Sequence, residues 1–161
     1  MNNKKTAYLG LFAAVAIIFG YVESLFPFFA GIPGIKLGLA NLAVLFILET
    51  YTWKEAAVVS AVRIVVIGFL LGNMFTIIYS LAGAALSLFV MTLMKKSSGF
   101  SILGISVAGG VSHNIGQLMV AALIVENTSL LYYAPVLLIS GVITGLLIGI
   151  LTKEVTKRIH L

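Results

Sequence analysis

Long apolar runs alternate with short polar or Gly/Pro breaks along the whole chain. After a polar start at Lys4 and Lys5, apolar residues dominate about 6–26, 37–51, 54–72, 74–94, 101–125 and 130–152. Between the first two runs lies PFFAGIPGIK at 27–36, whose two prolines and two glycines cannot stay helical, so it reads as a loop or a re-entrant cap. A helix needs roughly 20 apolar residues to cross a hydrocarbon core of about 30 Å. The pattern therefore predicts an all-α polytopic membrane protein, six transmembrane helices in one integral domain over 1–161, the second span being the shortest. The first run is not read as a cleavable signal, because equally apolar runs follow it.

Charge orients the six spans. With the N-terminus inside, the cytoplasmic segments hold Lys4, Lys5, Lys54, Lys95, Lys96, Lys153, Lys157 and Arg158, and the outer segments hold only Lys36. That asymmetry predicts both termini on the cytoplasmic side of a multi-pass protein of the cell membrane. Arg63 belongs to neither side. At 1.5 Å per residue it lies about 14 Å above the inner end of its span, where an arginine costs at least about 2.5 kcal/mol and must face the bundle or water.

The stretch GISVAGGVSHNIGQLMVA at 104–121 carries most of the remaining buried polarity. On a helix, Ser106, Gly109, Gly110, His113, Asn114, Gln117 and Ala121 fall within an arc of roughly 140°. Lipid cannot satisfy such a stripe, so it turns toward protein or a cavity. Taken singly, His113, Asn114 and Gln117 read equally well as bonds to neighbouring helices, about 0.6 kcal/mol each on average; taken together with glycines beside them, they favour a ligand site. Arg63 divides in the same way between ligand contact and a structural bond to carbonyls, amides or Glu23. Lys36 and Asn41, at the outer start of the second span, are either ligand contacts or interface anchors. On the fourth span Ser80, Gly83, Ala84, Ser87 and Met91 make a small-residue face that reads as packing. Gly141, Gly145 and Gly149 do the same on the sixth, whereas Gly10 with Ala14 and Ala16 with Gly20 on the first read either as internal packing or as a face offered to a separate membrane protein.

Composition narrows the function. Hydrophobic residues make up 61% of the 161 and charged ones 9%, at a mean hydropathy of +1.17, which no soluble globule of this length shows. There is no cysteine and no aspartate. Thiol chemistry and aspartate-rich magnesium-diphosphate motifs are thereby excluded. With His160 in the tail as the one other histidine, no metal site is expected. No phosphate-binding loop, catalytic constellation or nucleic-acid module occurs. The expectation is a non-enzyme without a cofactor, surrounded by membrane lipid, that does not bind nucleic acid and does not hydrolyse ATP by itself.

The blocks PGIKLGLANL (33–42), Arg63 in its apolar span, SLAGAALSLFVM (80–91) and GISVAGGVSHNIGQLMVA (104–121) resemble the Gx transporter family. That family is also labelled heptaprenyl diphosphate synthase component I and is grouped with the substrate-binding S components of energy-coupling factor (ECF) transporters. The resemblance covers almost the whole chain. It implies an ECF S-component-like bundle with an outward-facing site for a small molecule, such as an isoprenoid or quinone precursor or a vitamin-like compound. The loop after the first span would cap that site, and the bundle would dock on a transmembrane coupling subunit driven by two ATPase subunits. The candidate site residues for such a ligand are those read above: Lys36, Asn41, Arg63, His113, Asn114 and Gln117. S components dock through an AxxxA pattern on the first span, and here Gly10–Ala14 and Ala16–Gly20 stand in its place. Two other readings remain: a membrane subunit or scaffold for isoprenoid or quinone (heptaprenyl diphosphate) synthesis, and an autonomous ion-coupled carrier.

Overall fold

Polar residues at several of the breaks act as helix caps and set where the following helices begin. The computed structural model describes residues 3–25 and 38–159. Helix α1 is Asn3–Leu25, α2 Leu39–Thr50, α3 Trp53–Leu71, α4 Met74–Lys96, α5 Ile102–Val125 and α6 Ala134–Arg158, with a 3-10 helix at Thr128–Tyr133. Among the described residues there is no strand. Thr52 and Glu55 form a reciprocal capping box at the start of α3. Asn73 Oδ1 accepts from the Thr76 N–H at 2.8 Å to open α4, and Ser101 Oγ accepts from the Gly104 N–H at 3.2 Å to open α5. The Pro/Gly segment and Lys36 lie outside the described residues.

Several boundaries differ from the sequence reading, with the largest shifts at α1 and α6. Helix α1 starts at Asn3, and α6 continues through the basic tail to Arg158 rather than stopping near 152. The tail stays helical because its charges suit a helix end. Lys157 bonds Glu154 at 2.9 Å one turn back, and Lys157 and Arg158 sit in the last turn, where cations complement the helix dipole.

Among the described residues four helices, α1, α4, α5 and α6 with its leading 3-10 turn, are long and apolar enough to cross a membrane. The other two are special. Helix α3 carries Lys54, Glu55 and Arg63 within its 19 residues. Helix α2 has 12 residues, about 18 Å of rise, and buries Ala40 and every residue from Ala43 to Leu48. A helix apolar on all sides belongs inside a bundle. Here α1, α3 and α6 surround it, with the Phe12 and Phe46 rings 5.0 Å apart.

The bundle has one strongly basic end. Lys5 of α1 pairs with Glu55 of α3 at 2.5 Å; Lys95 of α4 caps the C-terminus of α2, donating to the carbonyls of Leu48 and Glu49 and lying 3.6 Å from the Glu49 carboxylate. These contacts bring the start of α1, the α2–α3 turn and the end of α4 together. At the opposite end the Gly38 N–H donates to the Glu23 carboxylate, joining the end of α1 to the start of α2. Gly38 has φ +75°, a left-handed conformation that glycine adopts at least cost.

Helix α5 is the central post, packed most closely on α6 and α4. Glycines on both sides make the contact. A Cβ on Gly145 would lie 2.7 Å from the Val107 Cα, and one on Gly141 or Gly149 3.0 Å from α5 backbone. On the other side a Cβ on Gly83 would meet the His113 carbonyl oxygen at 2.7 Å, and Ser87 Oγ donates to the Gly109 carbonyl at 2.8 Å. Such approach is what holds helices together where lipid is as apolar as the side chains.

Candidate functional site

The polar stripe of α5 faces a cleft in the half of the bundle away from the basic end. Its walls come from five other places along the chain: Glu23 closing α1, Gly38 and Asn41 opening α2, Arg63 and Gly68 on α3, Thr76 and Ser80 on α4, and Thr144 on α6; His113, Asn114 and Gln117 supply the α5 side. Five residues singled out from sequence, Asn41, Arg63, His113, Asn114 and Gln117, thus line one cavity. A narrower cavity continues from it toward the basic end past Ser60, Ser87 and Ser106.

Each polar group reaches the cleft for a local reason. Asn41 sits in the first turn of α2, where the left-handed Gly38 starts the helix and accepts from the Asn41 N–H at 2.8 Å. Arg63 lies mid-way along α3 and donates from Nη2 to Asn41 Oδ1 at 3.3 Å. Its Nε is buried and has no hydrogen-bond partner among the described residues. The Glu23 carboxylate lines the same cleft and accepts from the Gly38 N–H. His113 and Gln117 are seated by Gly83, which leaves room for the Gln117 Cγ and the His113 backbone.

Asn114 is different. Its Nδ2 donates to the Leu137 carbonyl at 2.7 Å and to Ser140 Oγ at 3.3 Å, so its amide ties α5 to α6 at the edge of the cleft. That is the bond to a neighbouring helix weighed for each of the three side chains taken singly.

The first helix separates its two small-residue pairs. Gly10 and Ala14 are exposed, and a Cβ on Gly10 would meet nothing within 4 Å. Ala16 is fully buried, and a Cβ on Gly20 would lie 3.2 Å from Ile67 of α3. The Ala16–Gly20 pair is thus occupied by the protein's own core, which leaves Gly10 and Ala14 as the pair open to a separate chain.

The sequence model of the family described as heptaprenyl diphosphate synthase component I matches residues 12–155. This chain belongs to that family. No curated protein and no solved structure matches it. In this member of the heptaprenyl diphosphate synthase component I family, the matched segment contains every residue that lines the cleft.

Sequence reasoning passed over several of those residues. Thr144 lies between Gly141 and Gly145 on the face of α6 that meets α5, and Thr76 lies one turn into α4; the small-residue spacing of α6 was the signal for the first. Ser80, read as packing, lines the cleft, whereas Ser87 on the same face bonds α5. Chemically the cleft offers hydrogen-bond donors around one guanidinium that spends one bond, to Asn41, among the described residues. A group rich in acceptors, above all a compact anion, fits that inventory.

Proposed function

We propose that this protein is the substrate-binding membrane component of an ECF-type uptake transporter, and that it takes a small molecule with an anionic or acceptor-rich head into the Arg63 cleft. The observation that carries the reading is the buried, unpartnered Arg63 Nε in a cleft lined by Asn41, His113 and Gln117. A partly buried arginine mid-way along a membrane helix is expensive unless its donors are used, and a ligand that uses them offsets that cost. Under the positive-inside reading the cleft opens outward, as uptake requires. Gly10 and Ala14 then give α1 an open face for a coupling subunit, with two ATPase subunits supplying the energy that this chain cannot.

A second reading has its own support. The description of the family names a synthase component, which favours a membrane subunit of a prenyl diphosphate synthase assembly. This chain has no aspartate with which to hold magnesium and diphosphate, so in such an assembly it would anchor or feed a catalytic partner.

Gentle detergent extraction followed by identification of co-purifying chains separates the two. A transmembrane coupling subunit with ATPases is the expected result; a soluble prenyltransferase in their place overturns the transport reading. Native mass spectrometry of the purified protein should reveal a retained small ligand that is absent from Arg63→Met. Equal retention by that variant removes Arg63 from the site.

A further inference from the structure

Gln117 lines two cavities. On one side lies the polar cleft, with a volume of about 80 Å³. That is room for several waters or one compact polar group. On the other lies a larger cavity of about 260 Å³ whose walls include Phe75 and Tyr79 of α4, Leu118 and Val125 of α5, and Tyr133 at the end of the 3-10 helix. Its lining is apolar apart from the Gln117 amide and the tyrosine hydroxyls, and Phe75 and Tyr79 stand edge to face with ring centroids 5.2 Å apart. A small polar chamber built around a cation therefore meets a larger apolar groove at a single side chain.

We propose that the ligand is an amphipathic anion: a compact acidic head in the Arg63 cleft and a hydrocarbon tail that passes Gln117 and lies in the groove between α4, α5 and the 3-10 helix. The proposal rests on the reading that the cleft binds a ligand, and it adds the chemical class. The polar chamber is too small for a whole amphipathic molecule, and the groove has no charged residue to hold a second head. The two fit one molecule whose polarity changes once along its length. A hydrocarbon chain in the groove has its polar end at Gln117, on the wall that it shares with Arg63 and His113.

The test uses the full chain in lipid nanodiscs, titrated with two homologous series, n-alkyl phosphates and n-alkyl carboxylates from one carbon upward. Each value is corrected for partition into protein-free nanodiscs. In the parent, the short members of at least one series bind through Arg63, and affinity rises about fourfold per added methylene until the groove is full. Leu118→Trp and Val125→Trp fill the groove at two places. Either variant that melts like the parent should keep the binding of the short members and lose the rise with chain length. A parent that binds short members without any rise overturns the proposal, and so does a rise that survives both tryptophans, which would put the tail in bulk lipid. If short members of neither series bind, or if they bind equally to Arg63→Met, the cleft reading itself fails and the head has no site.

Discussion

Arg63 donates from Nη2 to Asn41 Oδ1 at 3.3 Å, a bond between residues 22 apart in sequence that joins α3 to the first turn of α2 on the wall of the cleft. Asn41 takes one donor of a planar group that carries five, and the buried Nε next to it meets none. The pair thus orients the guanidinium without exhausting it. Replacing Arg63 with Met should weaken binding of an anionic ligand by roughly 10- to 150-fold, the range for a hydrogen bond to a charged group. Arg63→Lys should restore only part, because an ammonium lacks the planar fork. Ligand titration of purified variants, read beside their thermal melts, checks this; parent-like binding by Arg63→Met would assign the arginine to structure.

His113 and Gln117 should behave unlike Asn114. Leucine at 113 or 117 suits a membrane helix and leaves ligand groups unpaired at about 1 to 3 kcal/mol each, about 5- to 150-fold in affinity. Asn114→Leu instead removes the bonds to Leu137 and Ser140, so its loss should register in the melt. The idea fails if His113→Leu and Gln117→Leu bind as the parent does, or if every loss of binding follows a loss of folded protein.

The glycines of α6 set a sharper stability test. In Gly145→Leu the new side chain would start from a Cβ 2.7 Å from the Val107 Cα, so α5 and α6 must separate and the melting temperature should fall by well over the shift that a lipid-facing substitution gives. Ile143→Ala, on an exposed position of the same helix, is the control and should melt close to the parent. Similar melts for the two would mean that the α5–α6 contact is not tight in the membrane.

The first helix should divide docking from folding. Gly10→Leu and Ala14→Leu alter an open face and are expected to leave the melt and ligand binding intact while reducing recovery of a coupling subunit in pull-downs. Gly20→Leu intrudes on Ile67 and should destabilise the bundle. Normal assembly of Gly10→Leu and Ala14→Leu would move the docking face elsewhere.

Membrane orientation is checked by single cysteines in this cysteine-free chain. An impermeant thiol reagent applied to intact cells should label Thr128→Cys, at the start of the 3-10 helix, and spare Asn3→Cys and Ser98→Cys, at the basic end. The reverse pattern would turn the cleft toward the cytoplasm and remove the uptake reading.

Hydropathy and punctuation alone determined that the described residues form six α-helices and nearly where they start, because apolar run length and capping residues such as Thr52, Asn73 and Ser101 act within a few residues of sequence. They also determined that His113 and Gln117 share a face, since helical period is a local property. What only the tertiary structure decided depends on which faces meet. The twelve residues of α2, the shortest run, became a buried core rather than a marginal span because three other helices enclose them. The Ala16–Gly20 pair, equal to Gly10–Ala14 as a motif, turned inward against Ile67. Asn114 was spent on α6, while Arg63, Asn41 and Gln117 were brought to one cavity from three helices. Spacing along one helix cannot encode these outcomes, because close approach at Gly83, Gly110 and Gly145 sets the rotation of α5 against both its neighbours at once.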